Sequence, residues 1–261
     1  MISLLLALML MVGTCVALRG GFVGPGRGLR VVGMDPAGVV LAIIAVAAAV
    51  WFWGWQYGLA LMVTVALHEY GHVAAFRVCG HDDARFRLIP LLGGYAISSR
   101  APHGPEAAFF IALMGPAICL APMGLCFVLA DLLIGPFPAL ATDLYLLGLV
   151  MGALNLFNLL PLWPLDGGRM AQLLVRSLLP GAARLLSYAM LATAVALALY
   201  LRSVVLAVFV LMTWRGLFQA QAQVTAQRPM PPRVALVALG AYAATLLACA
   251  AGGWPLIQRF F

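Results

Sequence analysis

The sequence predicts an all-α polytopic membrane protein with about eight transmembrane helices, and three observations lead to this fold class. Of the 261 residues, 65% are hydrophobic and only 9% are charged, whereas soluble domains are about half apolar and a quarter charged. The apolar residues cluster in runs that are long enough to cross a bilayer. Inside a bilayer, backbone amides must be satisfied within each segment, which favours helices.

The eight apolar runs are separated by short loops that are polar or rich in Gly and Pro. Ile2–Leu18 is predicted to be a retained helix because it lacks the basic start and the small-residue cleavage site of a secretory signal. A cleaved signal is the alternative. The other spans are predicted at about Pro36–Trp53, Gly58–Cys79, Ala107–Ala130, Asp143–Leu165, Ala182–Leu201, Val204–Gln219 and Val234–Ile257.

Two breaks in this pattern are predicted from Pro and Gly. Gly115-Pro116 should kink the fourth span. Phe86–Ile97, within the polar stretch after the third span, is too short and too interrupted for a helix, and it predicts two extended arms around a turn at Gly93-Gly94. Its apolar side chains indicate a β-hairpin that dips into the membrane edge or lies against the spans.

The positive charge of the chain indicates its topology. The net charge is +7, and all 15 basic residues are Arg. We expect the lipid bilayer rather than nucleic acid as the partner of this charge, because basic residues concentrate in cytoplasmic loops. If the eight spans alternate, all but Arg202 and Arg259 fall on one side, which is then the cytoplasm. The five Cys form no C-x-x-C pair, and we expect them to be buried packing residues.

His68-Glu69-Tyr70-Gly71-His72 lies near the end of the third span and carries the main functional signal. Two His residues four positions apart lie on one helical face, about 6 Å apart along the axis. Both imidazoles can therefore bind one metal ion, and Glu69 is placed to act as a general base. Ionisable groups inside an apolar span are costly and usually functional. The alternative is a helix end whose polar residues face water.

Asp166 is the best third metal ligand by elimination. Catalytic zinc usually takes three protein ligands and leaves one position for water. Asp166 ends a predicted span on the same side as the His pair, after Pro161 and Pro164 have unwound it. The alternatives are that His81 or His103 of the polar loop is the ligand, and that Asp166 only caps the next helix.

Asn158 is a further polar residue of the fifth predicted span. Its amide must be satisfied inside the membrane. We expect it either to make an interhelical hydrogen bond or to orient a substrate or a ligand.

These motifs together resemble the site-2 protease family of intramembrane zinc metalloproteases. The resemblance rests on His68–His72, on Asn158 followed by Pro161 and Pro164-Leu165-Asp166-Gly167-Gly168, on Ile89–Tyr95 as a membrane-reentrant hairpin, and on Gly115-Pro116. It covers about residues 36–219, which would match the six-helix arrangement of the family. Residues 1–35 would then be an extra N-terminal helix with its loop, and residues 220–261 a linker and a C-terminal helix. The family often has an Asn shortly after its Gly-Pro, where this chain has Ala117-Ile118-Cys119.

The resemblance implies hydrolysis of a peptide bond within or near the transmembrane segment of a membrane-protein substrate. It implies one Zn²⁺ ion held by His68, His72 and Asp166, with Glu69 as the general base. Gly93 and Gly94 would bind the unwound substrate by strand addition, and Asn158 would orient it. The expected location is a bacterial inner membrane, with the site towards the cytoplasm. The alternatives are a metal-ion transporter, a non-catalytic membrane scaffold, and the membrane zinc proteases that use a Glu as third ligand.

Overall fold

The structure, a computed structural model, describes residues 2–22, 31–32, 36–89, 93–200 and 202–260, most of them helical. The helices are α1 Ile2–Ala17, α2 Pro36–Trp53, α3 Trp55–Val78, α4 Pro105–Ile118, α5 Leu120–Leu133, α6 Pro138–Asn158, α7 Asp166–Leu178, α8 Ala183–Tyr200, α9 Val204–Ala226 and α10 Pro232–Phe260. A 3₁₀ turn at Pro180–Ala182 precedes α8. The strands are β1 Val31–Val32, β2 Arg85–Ile89 and β3 Gly93–Ile97.

Five segments of the described chain are long and apolar enough to cross a membrane, and the protein is a multi-pass membrane protein. These segments are Trp55–Val78, Pro105–Leu133, Pro138–Asn158, Pro180–Tyr200 and Pro232–Arg259. The predicted number of eight also includes α1, α2 and α9. That these three helices cross the membrane stays a prediction.

Several predicted helix boundaries differ from the structure, and two of these differences concern candidate site residues. The fifth predicted span ends at Asn158 rather than at Leu165, because Pro161 and Pro164 have no N–H with which to continue the helix. Asp166 therefore begins α7 instead of ending a span. The predicted break in the fourth span lies at Cys119, between α4 and α5, a little beyond the Gly-Pro pair that predicts it.

Glycine fixes both ends of α3, the helix that carries the His pair. Gly54 has φ 85° and Gly80 has φ 81°, both in the left-handed region that favours glycine. At the C-terminal end, the N–H of His81 donates to the carbonyl of Phe76 and the N–H of Gly80 donates to that of Arg77, each at 3.0 Å. These are the two hydrogen bonds of a Schellman motif. The ring of Phe76 also contacts that of His81, with centroids 5.5 Å apart. The polar loop thus leaves α3 in a defined direction.

The three described strands form a small sheet in the order β1-β2-β3, with β1 before α2 in the sequence and β2 and β3 after α3. β1 is parallel to β2, and β2 is antiparallel to β3 with Ile89 opposite Gly93 and Leu88 opposite Gly94. The predicted turn at Gly93-Gly94 is therefore wrong, because this register places both glycines inside β3. The connection between β2 and β3 at residues 90–92 lies outside the described residues, and re-entry of this segment into the membrane stays a prediction.

The chain divides into two compact units, and each has its own packing. The first comprises Met1–Ala101, Met114–Leu156 and Thr245–Phe261; in it α1 packs on α5, α2 packs on α3, and α3 contacts β2 and β3. The second comprises Pro102–Leu113 and Phe157–Ala244. Its core includes Ala171 of α7, Met190 of α8 and Leu217 of α9, and the partly buried Trp163 packs against them.

A polar cluster joins the two ends of the β2–β3 segment. The Asp83 carboxylate accepts hydrogen bonds from the Ser99 hydroxyl (2.5 Å), the Ser99 N–H (2.6 Å) and the Ser98 hydroxyl (3.0 Å). The buried His81 lies with Nδ1 2.9 Å from the same Ser98 hydroxyl. The hydrogen bonds from Ser99, followed by the one from Ser98, hold the pKa of the Asp83 carboxyl well below its usual range. Asp83, just before β2, thereby fixes the residues just after β3.

Replacing Asp83 should loosen the end of β3. In Asp83→Asn we expect faster amide hydrogen exchange at residues 98–100 at pH 7, because a neutral amide accepts hydrogen bonds more weakly than a carboxylate. Asp131→Asn, which removes an exposed carboxylate of α5, is the control and should leave the exchange unchanged. Equal exchange in Asp83→Asn and the unaltered chain would contradict this role.

The same cluster predicts a pH dependence. A carboxyl whose folded pKa is lowered stabilises the fold above its unfolded pKa of about 3.9, and this stabilisation is lost as the pH falls through the lower folded value. Exchange at residues 98–100, corrected for the intrinsic rate, should therefore remain slow at pH 4. Loss of protection between about pH 6 and about pH 4, where a carboxyl of ordinary pKa begins to take up its proton, would show that the pKa is not lowered.

Candidate metal centre

His68 and His72 lie side by side on one face of α3. They are only 4% and 8% exposed, and their Nε2 atoms are 3.1 Å apart. The two rings are nearly perpendicular, at 84°. Two ligand atoms at about 2.0–2.1 Å from one tetrahedral zinc ion lie about 3.3 Å from each other. The pair therefore has the spacing of two ligands of one ion, as the i, i+4 pattern predicts.

Asn155 of α6 orients His68. Its Oδ1 lies 2.7 Å from His68 Nδ1, and its Nδ2 donates to the carbonyl of Met151 at 2.8 Å. Because the amide N–H is used for Met151, the amide oxygen faces His68 and Nδ1–H is the donor. His68 Nε2 then keeps its lone pair for a metal ion. Such hydrogen bonds to ligand imidazoles fix their tautomer and their direction.

Asn155 is the buried amide of α6 that contacts His68, although only Asn158 was predicted from the sequence to have such a role. The argument that a buried amide in an apolar span needs a partner applies to both residues. Asn155 is 0% exposed, whereas Asn158 is the last residue of α6 and is only half-buried. The signal that could have identified Asn155 is its position in the sequence, three residues further inside the span than Asn158.

Two glycines allow α4 to lie directly against the His pair. A Cβ on Gly71 of α3 would overlap the carbonyl of Met114, and a Cβ on Gly115 would overlap the imidazole of His72. The Cβ position on Gly115 is also only 3.0 Å from His68 Nε2. The Gly-Pro pair, which the sequence analysis treated as a kink, thus provides the space that the two rings occupy.

Asp166 is the first residue of α7 and is 8% exposed. The N-cap is Leu165, which makes no side-chain capping hydrogen bond, so Asp166 is not the cap that the sequence analysis gave as an alternative. A carboxylate in the first turn is still favoured by the helix dipole. A Cβ on Gly167 would overlap the carbonyl of Leu159, and one on Gly168 that of Leu162. Both glycines therefore let the segment after α6 fold back tightly onto the start of α7.

Among the described residues, His68, His72 and Asp166 form a group that could hold a metal ion. Each offers one ligand atom, the three atoms lie within 4.8 Å of one another, and all three side chains are buried. Two imidazole nitrogens and one carboxylate oxygen are a donor set of catalytic zinc sites, which leave a fourth position for water. The residues present therefore fit a zinc ion. His81, which contacts Ser98, and the exposed His103 are not members of this group.

The other predicted site residues have defined positions, but their roles stay predictions. Glu69 is half-buried on α3 between the two His residues. Asn158 ends α6. Gly93 and Gly94 lie in β3, one of the two edge strands of the described sheet.

Comparison with known proteins finds a peptidase family and several zinc metalloproteases that are similar to this chain. Residues 136–201 match the family model of peptidase family M50. The chain is 36% identical over 126 residues to a putative zinc metalloprotease from Synechocystis sp., and 34% identical over 122 residues to a zinc metalloprotease from Methanocaldococcus jannaschii. It is 35% identical over 128 residues to the putative zinc metalloprotease Rip3 from Mycobacterium tuberculosis.

These alignments cover part of each protein. The alignment with the Synechocystis protein covers 48% of this chain and 32% of that protein. The alignment with the Methanocaldococcus jannaschii protein covers 45% and 33%, and the alignment with Rip3 covers 48% and 32%. The chain thus spans about a third of the length of the curated relatives that it matches. The solved structure of the site-2 protease from Methanocaldococcus jannaschii aligns with 70% of this chain and 87% of that chain, at 21% identity and a TM-score of 0.45. The family model and the sequence relatives confirm the predicted resemblance to site-2 zinc metalloproteases.

Removing the amide that orients His68 should weaken metal binding. For Asn155→Leu we expect zinc affinity to fall about 10–100-fold, the usual effect of losing the partner of a ligand imidazole. The measurement is competition with a chromophoric chelator on the purified protein in detergent.

A second hydrogen bond between the same two helices provides the control. Gln56 of α3 donates to Asp143 of α6 at 2.5 Å, near the start of both helices. Gln56→Leu removes this hydrogen bond with a side chain of similar size, and zinc affinity should stay within about twofold, since no ligand imidazole loses its partner. Equal zinc affinities in Asn155→Leu and Gln56→Leu would show that Asn155 does not orient the ligand.

Proposed function

We propose that this chain, which resembles the site-2 zinc metalloproteases, is an intramembrane zinc metalloprotease. Its reaction is hydrolysis of a peptide bond within or near the transmembrane segment of a membrane-protein substrate. The observation that carries the proposal is the buried group of two imidazoles and one carboxylate, with Glu69 between the two His residues on α3. Buried ionisable groups are expensive in apolar spans and are retained there for function.

His68, His72 and Asp166 would hold one Zn²⁺ ion. When bound, zinc supplies a Lewis acid that polarises the scissile carbonyl and makes a water molecule more acidic. Asn155 holds His68 in the tautomer that this role requires. Gly115 leaves room for both imidazoles on the side of α4.

Glu69 is the general base and then the general acid. Its carboxylate accepts a proton from the attacking water, whose oxygen forms a bond to the carbonyl carbon, and returns that proton to the amine nitrogen as the C–N bond breaks. Its half-buried position on α3 keeps it on the helix that also supplies both imidazoles. The reaction therefore needs no proton donor beyond this residue and the water.

The substrate must present an extended segment, because the peptide bonds of a helix are shielded by its own hydrogen bonds. β3 is an edge strand of the described sheet, and an extended peptide can add to such an edge. Gly93 and Gly94 within this strand have no side chains that would hinder a close approach. Asn158 would orient the bound segment. We place the site towards the cytoplasm of a bacterial inner membrane, from the distribution of Arg.

The decisive variant is Glu69→Gln, tested on single-pass membrane proteins that copurify with it as a trap. It should retain one zinc ion per chain and lose at least about 100-fold in turnover, the usual contribution of a general base. Zinc content and cleavage are both measured after reconstitution into lipid vesicles. Cleavage at the unaltered rate would refute the mechanism, and zinc transport across the vesicle that is unaffected by Glu69→Gln would identify a transporter.

Two Asp variants separate metal binding from general effects of removing a charge. Asp166→Asn should lose both zinc and turnover, because an amide is a poor substitute for a carboxylate ligand. Asp143→Asn, in α6, should retain both. Retention of zinc at full affinity by Asp166→Asn would remove Asp166 from the ligand set.

A further inference from the structure

The C-terminal helix α10 touches α6 one turn before Asn155. A Cβ on Gly253 of α10 would overlap the backbone of Gly152 and Ala153 of α6, and a Cβ on Gly152 would overlap the backbone of α10 at Gly252-Gly253. The backbones of the two helices are therefore in direct contact. Small residues on both sides are what permits such an approach between helices in a membrane.

The same face of α10 also packs on α5. The side chain of Met123 occupies the place that a Cβ on Gly252 would take, and the ring of Phe127 lies 3.4 Å from that position. Both Gly252 and Gly253 are buried. At Gly252-Gly253, α10 thus contacts both α5 and α6.

A small displacement of α6 at its contact with α10 should change the hydrogen bond between Asn155 and His68. Gly152 and Asn155 are three residues apart and lie on neighbouring positions of one helical face. Close-packed interiors transmit such displacements instead of absorbing them. The 2.7 Å hydrogen bond from Asn155 to His68 weakens within a few tenths of an ångström, since N–H···O bonds span only about 2.7–3.2 Å.

We propose that Gly252 and Gly253 are positioning residues of the metal centre, because α10 holds α6 where Asn155 meets His68. This inference deepens the proposed function and rests on the zinc site that it assigns. It makes α10, which the resemblance implies is an addition to the six-helix arrangement, a structural part of that site.

A double-mutant cycle on the metal-free protein tests the coupling. Gly253→Ala is combined with Asn155→Leu, and the thermal unfolding midpoint is measured for both single variants and the double variant. If α10 acts through Asn155, the double variant should lose clearly less than the sum of the two single losses. Additive losses would overturn the inference.

Two glycine variants are the matched controls. Gly58→Ala in α3 brings a Cβ into overlap with Val50 of α2, and Gly240→Ala in α10 brings a Cβ to where no described heavy atom lies within 4 Å. Gly58→Ala should destabilise the protein additively with Asn155→Leu, and Gly240→Ala should have no effect on the cycle. If Gly58→Ala couples to Asn155→Leu as strongly as Gly253→Ala does, the inference is also overturned. The coupling would then reflect a general loss of stability and not a specific contact of α10.

Cobalt binding provides the readout of the site itself. In Gly253→Ala we expect Co²⁺ affinity to fall about tenfold and its visible ligand-field spectrum to change, whereas Gly58→Ala should leave both unchanged. An unchanged spectrum and affinity in Gly253→Ala would contradict the inference.

The test also has a defined outcome if Gly253→Ala does not fold or if the unaltered chain binds no Co²⁺. If Gly253→Ala does not fold, Gly252→Ala replaces it, because the Cβ there meets the flexible end of Met123. If the unaltered chain binds no Co²⁺, the proposed zinc site is wrong, and the cycle alone decides whether α10 positions Asn155.

Discussion

The hydrogen bond between Asn155 and His68 is the contact on which the rest of the structure depends. It joins the helix that carries the His pair to α6, and it is buried in an apolar environment, where an unpaired amide or imidazole is costly. The bond of Gln56 to Asp143 joins the same helices further towards their starts. Two bonds in the same order along both helices mean that α3 and α6 run parallel, with the imidazole held at a fixed depth.

Glycine makes the close packing around this bond possible. Gly71 and Gly115 bring α4 against the two rings, and Gly152 brings α10 against α6. Each contact replaces side-chain packing by direct contact with backbone, which leaves the imidazoles little freedom to turn away. A metal site gains from this because ligands that are already in place lose little conformational entropy on binding. The chain therefore positions its polar residues mainly by the shape of its helices.

The residues of the candidate metal centre could be predicted from sequence because they follow local rules. The i, i+4 spacing of His68 and His72 is a property of any helix, and Asp166 was one of few acidic residues at a suitable depth. The end of α6 could not be placed as well. Pro161 and Pro164 indicated that the helix unwinds, but the residue at which it ends also depends on the tight turns that follow, which Gly167 and Gly168 of α7 permit.

Contacts between segments that are far apart in the chain could not be predicted from the sequence. Asn155 has a role only because α6 lies beside α3, and this pairing connects residues 87 positions apart. The position of Gly93 and Gly94 inside β3 depends on the register with β2, which a one-residue shift would change. Glycine pairs suggest turns when considered locally, yet in this chain several of them mark places where two backbones meet.

The central claim is that one zinc ion is bound by His68, His72 and Asp166, and X-ray absorption at the zinc edge tests it most directly. The account predicts a first shell of nitrogen and oxygen at about 2.0–2.1 Å, with the scattering pattern of two imidazoles. In Asp166→Asn the shell should change or the zinc should be lost. A sulfur neighbour at about 2.3 Å, which Cys119 or another thiol would supply, or a shell without two imidazoles, would contradict the account.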